Sequence, residues 1–71
     1  MKRLRNIIRL AEQMGMGDAY LSHDEYYGTH VIVETDGPAR VKDIDHVCDV
    51  FDARVKIEGE TRTGTYKYRY A

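Results

Sequence analysis

The feature that most constrains the fold is a pair of alternating segments near the end of the chain, RVKIEGE and TYKYRY, separated only by TRTG. Apolar and polar side chains alternate in both segments, which is typical of β-strands with one buried face. Because so short a loop joins neighbouring antiparallel strands, the sequence predicts a C-terminal β-hairpin. Its register decides which face the tail tyrosines share, since a slip of one residue moves every side chain to the opposite face.

Two loop lengths are compatible with this hairpin. A four-residue loop, residues 61–64, places Tyr68 opposite Ile57, so that the tyrosines complete an aliphatic core. A three-residue loop, residues 62–64, is a favoured arrangement when its last residue is glycine, and it places Tyr68 opposite Glu58. Turn chemistry favours the shorter loop. Core chemistry favours the longer one, because the shorter loop would bring the basic residues of the tail beside apolar side chains. We favour the longer loop.

Two segments show the 3- and 4-residue apolar spacing of amphipathic helices. The first is residues 2–14, and the glycines of residues 15–17 favour its end. The second is residues 41–53. The apolar positions are Leu4, Ile7, Ile8, Ala11 and Met14 in the first helix and Val41, Ile44, Val47, Cys48 and Phe51 in the second.

Residues 29–36 predict a further strand, which the turn-forming segment DGP ends. Residues 18–28 are compatible with short strands or with an irregular linker. The element order is therefore α-β-α-β-β, with an optional extra strand near residues 19–27, and no internal repeat is evident. We expect a single α+β domain over residues 1–71. Both helices pack on one face of a three- to four-stranded mixed sheet, with a parallel crossover through the second helix.

The chain has 71 residues, one cysteine and no tryptophan. A domain of this size buries only about 60% of its unfolded surface, so a partner subunit would help to stabilise it. A single cysteine excludes an intrachain disulfide and fits a reducing compartment. No segment approaches about 20 consecutive apolar residues, and the basic start MKRLRNIIRL lacks the uninterrupted apolar run of a signal peptide. We expect a cytoplasmic protein without a membrane segment.

No group of residues predicts catalysis, a metal site or a cofactor. The polar cluster SHDE, residues 22–25, could meet His46 and Asp49 around a divalent cation, but the spacing matches no zinc or calcium pattern. A solvated turn is the simpler interpretation. Cys48 lies on an apolar helix face beside aspartates, whereas a reactive thiolate needs an electropositive setting. No nucleophile elbow or glycine-rich phosphate loop is present. We expect a protein that is not an enzyme.

Protein binding is the function that the charge pattern favours. The formal net charge is only −1, and such a weak field argues against a general polyanion binder. On the second helix, however, Asp45, Asp49 and Asp52 recur at i, i+4 and i+7 and form an acidic stripe, with Asp43 nearby. Its carboxylates rise by about 5–6 Å per step, on the scale of phosphates along a nucleic-acid strand. A solvated helix face is the simpler alternative.

One specific hypothesis is that this stripe mimics phosphates and occupies the Lys/Arg groove of a nucleic-acid-binding protein. Small inhibitors from phages and mobile elements, including anti-CRISPR proteins, act in such ways, although size and charge give only a class-level argument. A second candidate surface for a protein partner is the sheet and its tail: Tyr66, Lys67, Tyr68, Arg69 and Tyr70. We therefore expect an inhibitor or regulator that binds a basic protein surface, with a homodimer as a further option.

The alternative is a nucleic-acid-binding module. The basic face of the first helix would then track phosphates, and the tail tyrosines would stack on bases. Its basic residues would be Arg3, Arg5 and Arg9 on the helix and Lys67 and Arg69 on the tail. Ten acidic residues between positions 11 and 52 and the lack of a recognition signature weigh against this alternative.

Overall fold

The computed structural model describes residues 2–71 and contains two helices and four strands. The elements are α1 (Lys2–Gln13), β1 (Asp18–Asp24), β2 (Gly28–Thr35), α2 (Val41–Phe51), β3 (Val55–Glu60) and β4 (Tyr66–Tyr70). The optional strand is present as β1, and the small α+β fold with its C-terminal hairpin is confirmed. Both helices end slightly earlier than the apolar spacing predicts.

The four strands form one sheet in the order β1-β2-β4-β3, and all three neighbouring pairs are antiparallel. The prediction of a mixed sheet was wrong, because neighbouring strands pair only in antiparallel fashion, whereas the predicted parallel crossover through α2 is confirmed. Strands β2 and β3 do run in the same direction, but β4 lies between them. The reason is local to β4: its tyrosines are the largest side chains in the core, and a central position lets strands on both sides help to bury them.

The topology is a repeat of one unit, a helix followed by a β-hairpin, which the sequence analysis did not detect. The two central strands pair so that Val31 lies opposite Tyr70 and Val33 opposite Tyr68. Val31 corresponds to Tyr68 and Val33 to Tyr70, so exchanging the two units turns the Val31–Tyr70 pair into the Val33–Tyr68 pair. Both helices are followed by a residue with positive φ. The matching positions, all separated by the same number of residues, are Ile7 and Ile44, Ala11 and Cys48, Gly15 and Asp52, Val31 and Tyr68, and Val33 and Tyr70. Aliphatic residues in one unit correspond to tyrosines in the other, which hides the repeat.

The core lies between the two helices and one face of the sheet. Its fully buried members are Ile7, Ala11, Val31, Val33, Val47, Tyr68 and Tyr70. Helix α1 packs on β1 and β2, whereas helix α2 packs chiefly against α1. The sheet is only partly covered at the β3 edge, where Ile57 is 60% exposed.

The register of the C-terminal hairpin satisfies both predictions at once. At the core end Ile57 lies opposite Tyr68, as the four-residue loop requires. At the turn end Glu60 lies opposite Tyr66, as the three-residue loop requires. The ladder shifts between Ile57 and Gly59, so one extra residue, Glu58, forms a β-bulge. The bulge therefore allows Gly64 to occupy the last position of the loop while Tyr68 and Tyr70 remain in the core.

Glycine is needed at two points of this hairpin. Gly64 has φ 82° and closes the three-residue loop, in which its N–H donates to the Thr61 carbonyl at 3.1 Å. Gly59 has φ 110° beside the bulge. Left-handed backbone is costly for residues with a Cβ atom, so the glycines permit both the turn and the shift in register.

The two buried tyrosines differ in the partners of their hydroxyl groups. The Tyr68 hydroxyl oxygen accepts a hydrogen bond from the Ala39 N–H at 2.9 Å, which ties β4 to the segment before α2. The Tyr70 hydroxyl is buried without a hydrogen-bond partner within residues 2–71. Burial raises the pKa of the Tyr70 phenol, and Cys48 adds to the effect. A buried hydroxyl without a partner offsets part of the stabilisation that its ring provides.

Removing each hydroxyl should therefore have opposite consequences. We expect Tyr68→Phe to lower the free energy of unfolding by about 1 kcal/mol, because the Ala39 N–H loses its acceptor. Tyr70→Phe should leave stability unchanged or raise it, because it deletes an unsatisfied polar atom. Urea unfolding of the two variants and the wild type at neutral pH measures the difference. Equal losses in both variants would contradict the assigned hydrogen bonding.

The Tyr70 hydroxyl also predicts a difference at alkaline pH. Its pKa in the folded state lies above the ordinary value of 10.0, so the neutral phenol favours the folded state. This contribution is complete below pH ~10 and is lost as pH rises further, because the unfolded chain ionises first. Wild-type stability should fall more steeply than that of Tyr70→Phe between about pH 9 and 11. If urea titrations show that the free energies of unfolding of the two proteins fall with pH at the same rate, Tyr70 contributes nothing to alkaline unfolding.

Candidate interaction surfaces

The predicted tail site is divided between two sides of the sheet. Tyr68 and Tyr70 are 2% and 0% exposed and lie in the core, and Tyr66 is half-buried on the same face. These rings do not form a surface for a partner. Lys67 and Arg69 point to the opposite face, which neither helix covers. Of these two side chains, Lys67 is 41% exposed and Arg69 only 11%, so Lys67 is the accessible basic residue of the predicted set.

The two basic residues of the tail are already neutralised by carboxylates of neighbouring strands. Arg69 Nη2 lies 3.0 Å from Glu58 Oε1, and Lys67 Nζ lies 3.5 Å from Glu34 Oε1. Tyr20 donates to the same Glu34 oxygen at 2.6 Å. This hydrogen bond lowers the pKa of Glu34 and raises the pKa of Tyr20 to about 12. The open face thus carries a polar network in which Lys67 and Arg69 are paired with carboxylates. Lys56, opposite Arg69, is the exposed base of this face that neither ion pair includes.

The β1–β2 loop adds an aromatic element that the sequence analysis missed. Asp24 Oδ1 accepts hydrogen bonds from the Tyr26 and Tyr27 N–H groups at 2.7 and 3.1 Å, and these bonds lower the pKa of Asp24. The loop bends over the open face, where the Arg69 guanidinium carbon lies 4.0 Å from the Tyr27 ring centroid. The sequence does contain a signal for this turn: Asp24 can accept from N–H groups two and three residues later, and Gly28 follows. This signal predicts the turn but not the contact between Tyr27 and Arg69.

Arg3, a predicted phosphate contact, has a structural role instead. Its Nε donates to the Phe51 carbonyl at 3.0 Å, and its Nη2 donates to the Asp52 carbonyl at 3.0 Å. The last carbonyls of a helix lack intrahelical partners and carry partial negative charge, so a guanidinium there completes the end of α2. Nη2 also lies 3.4 Å from the Ala71 carbonyl oxygen. Arg3 thus joins α1, α2 and the end of β4.

The acidic stripe of α2 has the predicted position and exposure. Asp45, Asp49 and Asp52 are all exposed, and within residues 2–71 none lies in an ion pair. Asp52 has φ 50° and ψ 43° and ends the helix. Asp43 is half-buried and lies apart from the stripe, in an open concavity of about 370 Å³ beside Asp18 and Arg40. The stripe is therefore an acidic surface of three carboxylates that lie in no ion pair of the described chain, and Asp43 is not part of it.

The outer face of α1 carries the opposite charge. Lys2, Arg5 and Arg9 are exposed, and the ion pairs of the described chain include none of them. Glu12 follows on the same side of the helix. Val41, predicted to pack inward from α2, is instead 71% exposed at the first residue of that helix. Two oppositely charged helix faces thus lie side by side.

The structure offers no constellation for metal or thiol chemistry among residues 2–71. No group of three or more His, Cys, Asp or Glu side chains could hold a metal ion there. Residues 22–25 lie at the β1–β2 hairpin, where His23 Nδ1 is 3.2 Å from Thr29 Oγ1, so they do not meet α2. Burial raises the pKa of Cys48, and Asp45 and Asp49 raise it further. These effects favour the neutral thiol over the reactive thiolate.

No helix in the described part of the chain combines the length and apolar character needed to cross a membrane. Comparison with protein-family models, with curated proteins and with solved structures finds no match. The function of the candidate surfaces is therefore inferred from their geometry and charge.

The role of Arg3 can be tested by comparing it with a neighbouring arginine. Arg3→Ala should lower the free energy of unfolding by about 1–2 kcal/mol, because two α2 carbonyls lose a charged donor. Arg3→Lys should recover part of this loss, since it keeps the charge but not the forked geometry. Arg5→Ala is the matched control and should change stability by less than about 0.5 kcal/mol. Urea unfolding measures all three, and equal effects at both positions would refute the role of Arg3.

Proposed function

We propose that this protein is a non-catalytic, cytoplasmic binding module whose acidic stripe on α2, Asp45, Asp49 and Asp52, docks on a basic surface of another protein. The observation that carries the proposal is the uncompensated charge of this stripe. All three carboxylates are exposed and unpaired within the described residues, whereas the accessible bases of the tail are neutralised within the chain. Complementary charge on a partner would accelerate association and fix its orientation.

The rigid support of the stripe favours recognition of a defined partner. The end of α2 is held by Arg3, and its beginning lies beside Ala39, which donates to the buried Tyr68. The helix is therefore fixed at both ends, so a partner need not order it on binding. Val50, 52% exposed on the same helix, adds apolar surface next to the carboxylates.

The spacing of the stripe suits a groove that normally binds nucleic-acid phosphates. A basic groove of that kind presents Lys and Arg side chains at intervals set by the phosphate backbone. A helix with carboxylates on successive turns offers negative charge about every 5–6 Å. In this form of the proposal the protein is an inhibitor or regulator of a nucleic-acid-binding machine.

The same geometry disfavours the nucleic-acid-binding alternative. That alternative needs outward tyrosines to stack on bases, and Tyr68 and Tyr70 are buried. Arg3 donates to the Phe51 carbonyl at the end of α2, and Arg69 forms an ion pair with Glu58. Of the predicted helix residues, only Arg5 and Arg9 remain for phosphates.

The test is capture of partners from an extract of the native host. Immobilised wild-type protein and the variant Asp45→Lys/Asp49→Lys are compared, and bound proteins are identified by mass spectrometry. We expect at least a tenfold loss of the specific partner with the double reversal, because each close charge pair in an interface contributes about 1.5 kcal/mol or more.

The matched control is Glu25→Lys/Glu60→Lys, which makes the same change in net charge at exposed positions away from α2. It should retain the partner. Equal capture by both variants, with both folded by circular dichroism, would refute the acidic stripe as the docking site. A parallel titration with mixed DNA and RNA at low salt tests the alternative, and binding that depends on Arg5 and Arg9 would support it instead.

A further inference from the structure

The outer faces of the two helices carry charged residues at the same spacing. On α1 these are Lys2, Arg5, Arg9 and Glu12, and on α2 they are Lys42, Asp45, Asp49 and Asp52. Steps of three and four residues keep the α1 set, and Lys42, Asp45 and Asp49 of the α2 set, on one side of each helix. Asp52 follows directly after Phe51 and ends α2. All eight side chains are exposed, and the ion pairs within residues 2–71 include none of them.

The helices lie antiparallel, which fixes the order in which the two sets run. At one end Arg3 of α1 donates to the Phe51 and Asp52 carbonyls at the end of α2. At the other end Gly15, which follows α1, lines the same concavity as Arg40 and Asp43 at the start of α2. Positions near the beginning of α1 therefore lie level with positions near the end of α2.

Antiparallel alignment of the two sets matches every charge with its opposite. Lys2 is level with Asp52, Arg5 with Asp49, and Arg9 with Asp45. In the fourth pair the signs are exchanged, because Glu12 of α1 is level with Lys42 of α2. The one acidic residue of the α1 set thus lies level with the one basic residue of the α2 set. Within one chain these side chains point outward from adjacent helices, so a facing helix is required to bring them into contact.

A second copy of the chain supplies that facing helix. A two-fold axis that runs between the helices and parallel to them places α1 of one copy against α2 of the other and preserves the level of each residue. All four charge pairs are then formed, and symmetry forms each of them twice. The other face-to-face stacking, with the axis perpendicular to the helices, places α1 on α1. It sets Arg5 against Arg9 of the other copy, where like charges repel.

We propose that the protein forms a weak, salt-sensitive homodimer through its helix layer, with α1 of each copy on α2 of the other. Exposed ion pairs contribute little individually, so the dimer depends on the whole matched set and is screened by salt. A further consequence rests on the proposed function: the dimer covers Asp45, Asp49 and Asp52, so self-association and capture of a basic partner exclude each other.

The test is a charge exchange measured by sedimentation equilibrium of the purified full chain. At low salt the wild type should show concentration-dependent dimerisation, which disappears near 1 M salt, where the Debye length is about 3 Å. Arg5→Glu/Arg9→Glu alone and Asp45→Lys/Asp49→Lys alone should each be monomeric, because two pairs become repulsive in each. An equimolar mixture of the two variants should form a 1:1 heterodimer, because all pairs are then again of opposite sign.

The control variant is Glu25→Lys/Glu60→Lys, which should dimerise like the wild type. A monomeric wild type at low salt and high concentration, or a mixture of variants that does not associate, overturns the proposal. Charge reversal that lowers thermal stability without any concentration dependence also overturns it, because the two helix faces then interact only within one chain. Arg5→Glu/Arg9→Glu keeps the acidic stripe, so loss of its dimer with retained partner capture separates this proposal from the proposed function.

Discussion

The burial of Tyr68 and Tyr70 is the constraint on which the rest of the fold depends. Two tyrosine rings on one face of a five-residue strand need neighbours on both sides, and this requirement places β4 at the centre of the sheet. The β3 edge beside them stays partly uncovered, with Ile57 60% exposed. The hairpin turn has its own requirement, a glycine at the third loop position. The bulge at Glu58 reconciles the two requirements at the expense of one unpaired residue in an edge strand, where such an irregularity also discourages further strand pairing.

The extent to which sequence predicts this molecule depends on how local each signal is. Apolar spacing identifies α1 and α2, and alternation identifies β2, β3 and β4, because each pattern depends only on consecutive residues. The sequence left β1 open, since residues 18–28 were also compatible with an irregular linker. The pairing of Ile57 with Tyr68 follows from core chemistry, and the loop of residues 62–64 follows from turn chemistry. What the sequence did not reveal is that both hold together, since a bulge is visible only when the two ends of the ladder are compared. The antiparallel strand order likewise depends on β2 meeting β4, a contact between residues distant in the chain.

The candidate sites follow the same division. The acidic stripe was predictable because it depends only on helical periodicity and on exposure of charge. The predicted roles of Arg3, Tyr68 and Tyr70 could not be judged from periodicity, because each is decided by what lies across the fold: two α2 carbonyls for Arg3 and the helix layer for the tyrosines. The contact of Tyr27 with Arg69 is of the same kind. Residue type and spacing indicate which side chains share a face, whereas their partners are set by tertiary structure.

The two helices lie antiparallel in one layer and carry opposite charge on their outer faces, and this combination has a physical consequence. A layer of two helices can stack face to face on a copy of itself in two ways, and its overall shape does not distinguish them. Charge does, because the like-on-like stacking juxtaposes arginines, whereas the exchanged stacking pairs each of the four charged positions with its opposite. The opposite charges of the two faces therefore give an otherwise ambiguous surface a single preferred partner orientation. The same charges leave an acidic face on a helix that is held at both ends, so the features that favour a second copy are those that favour a basic partner.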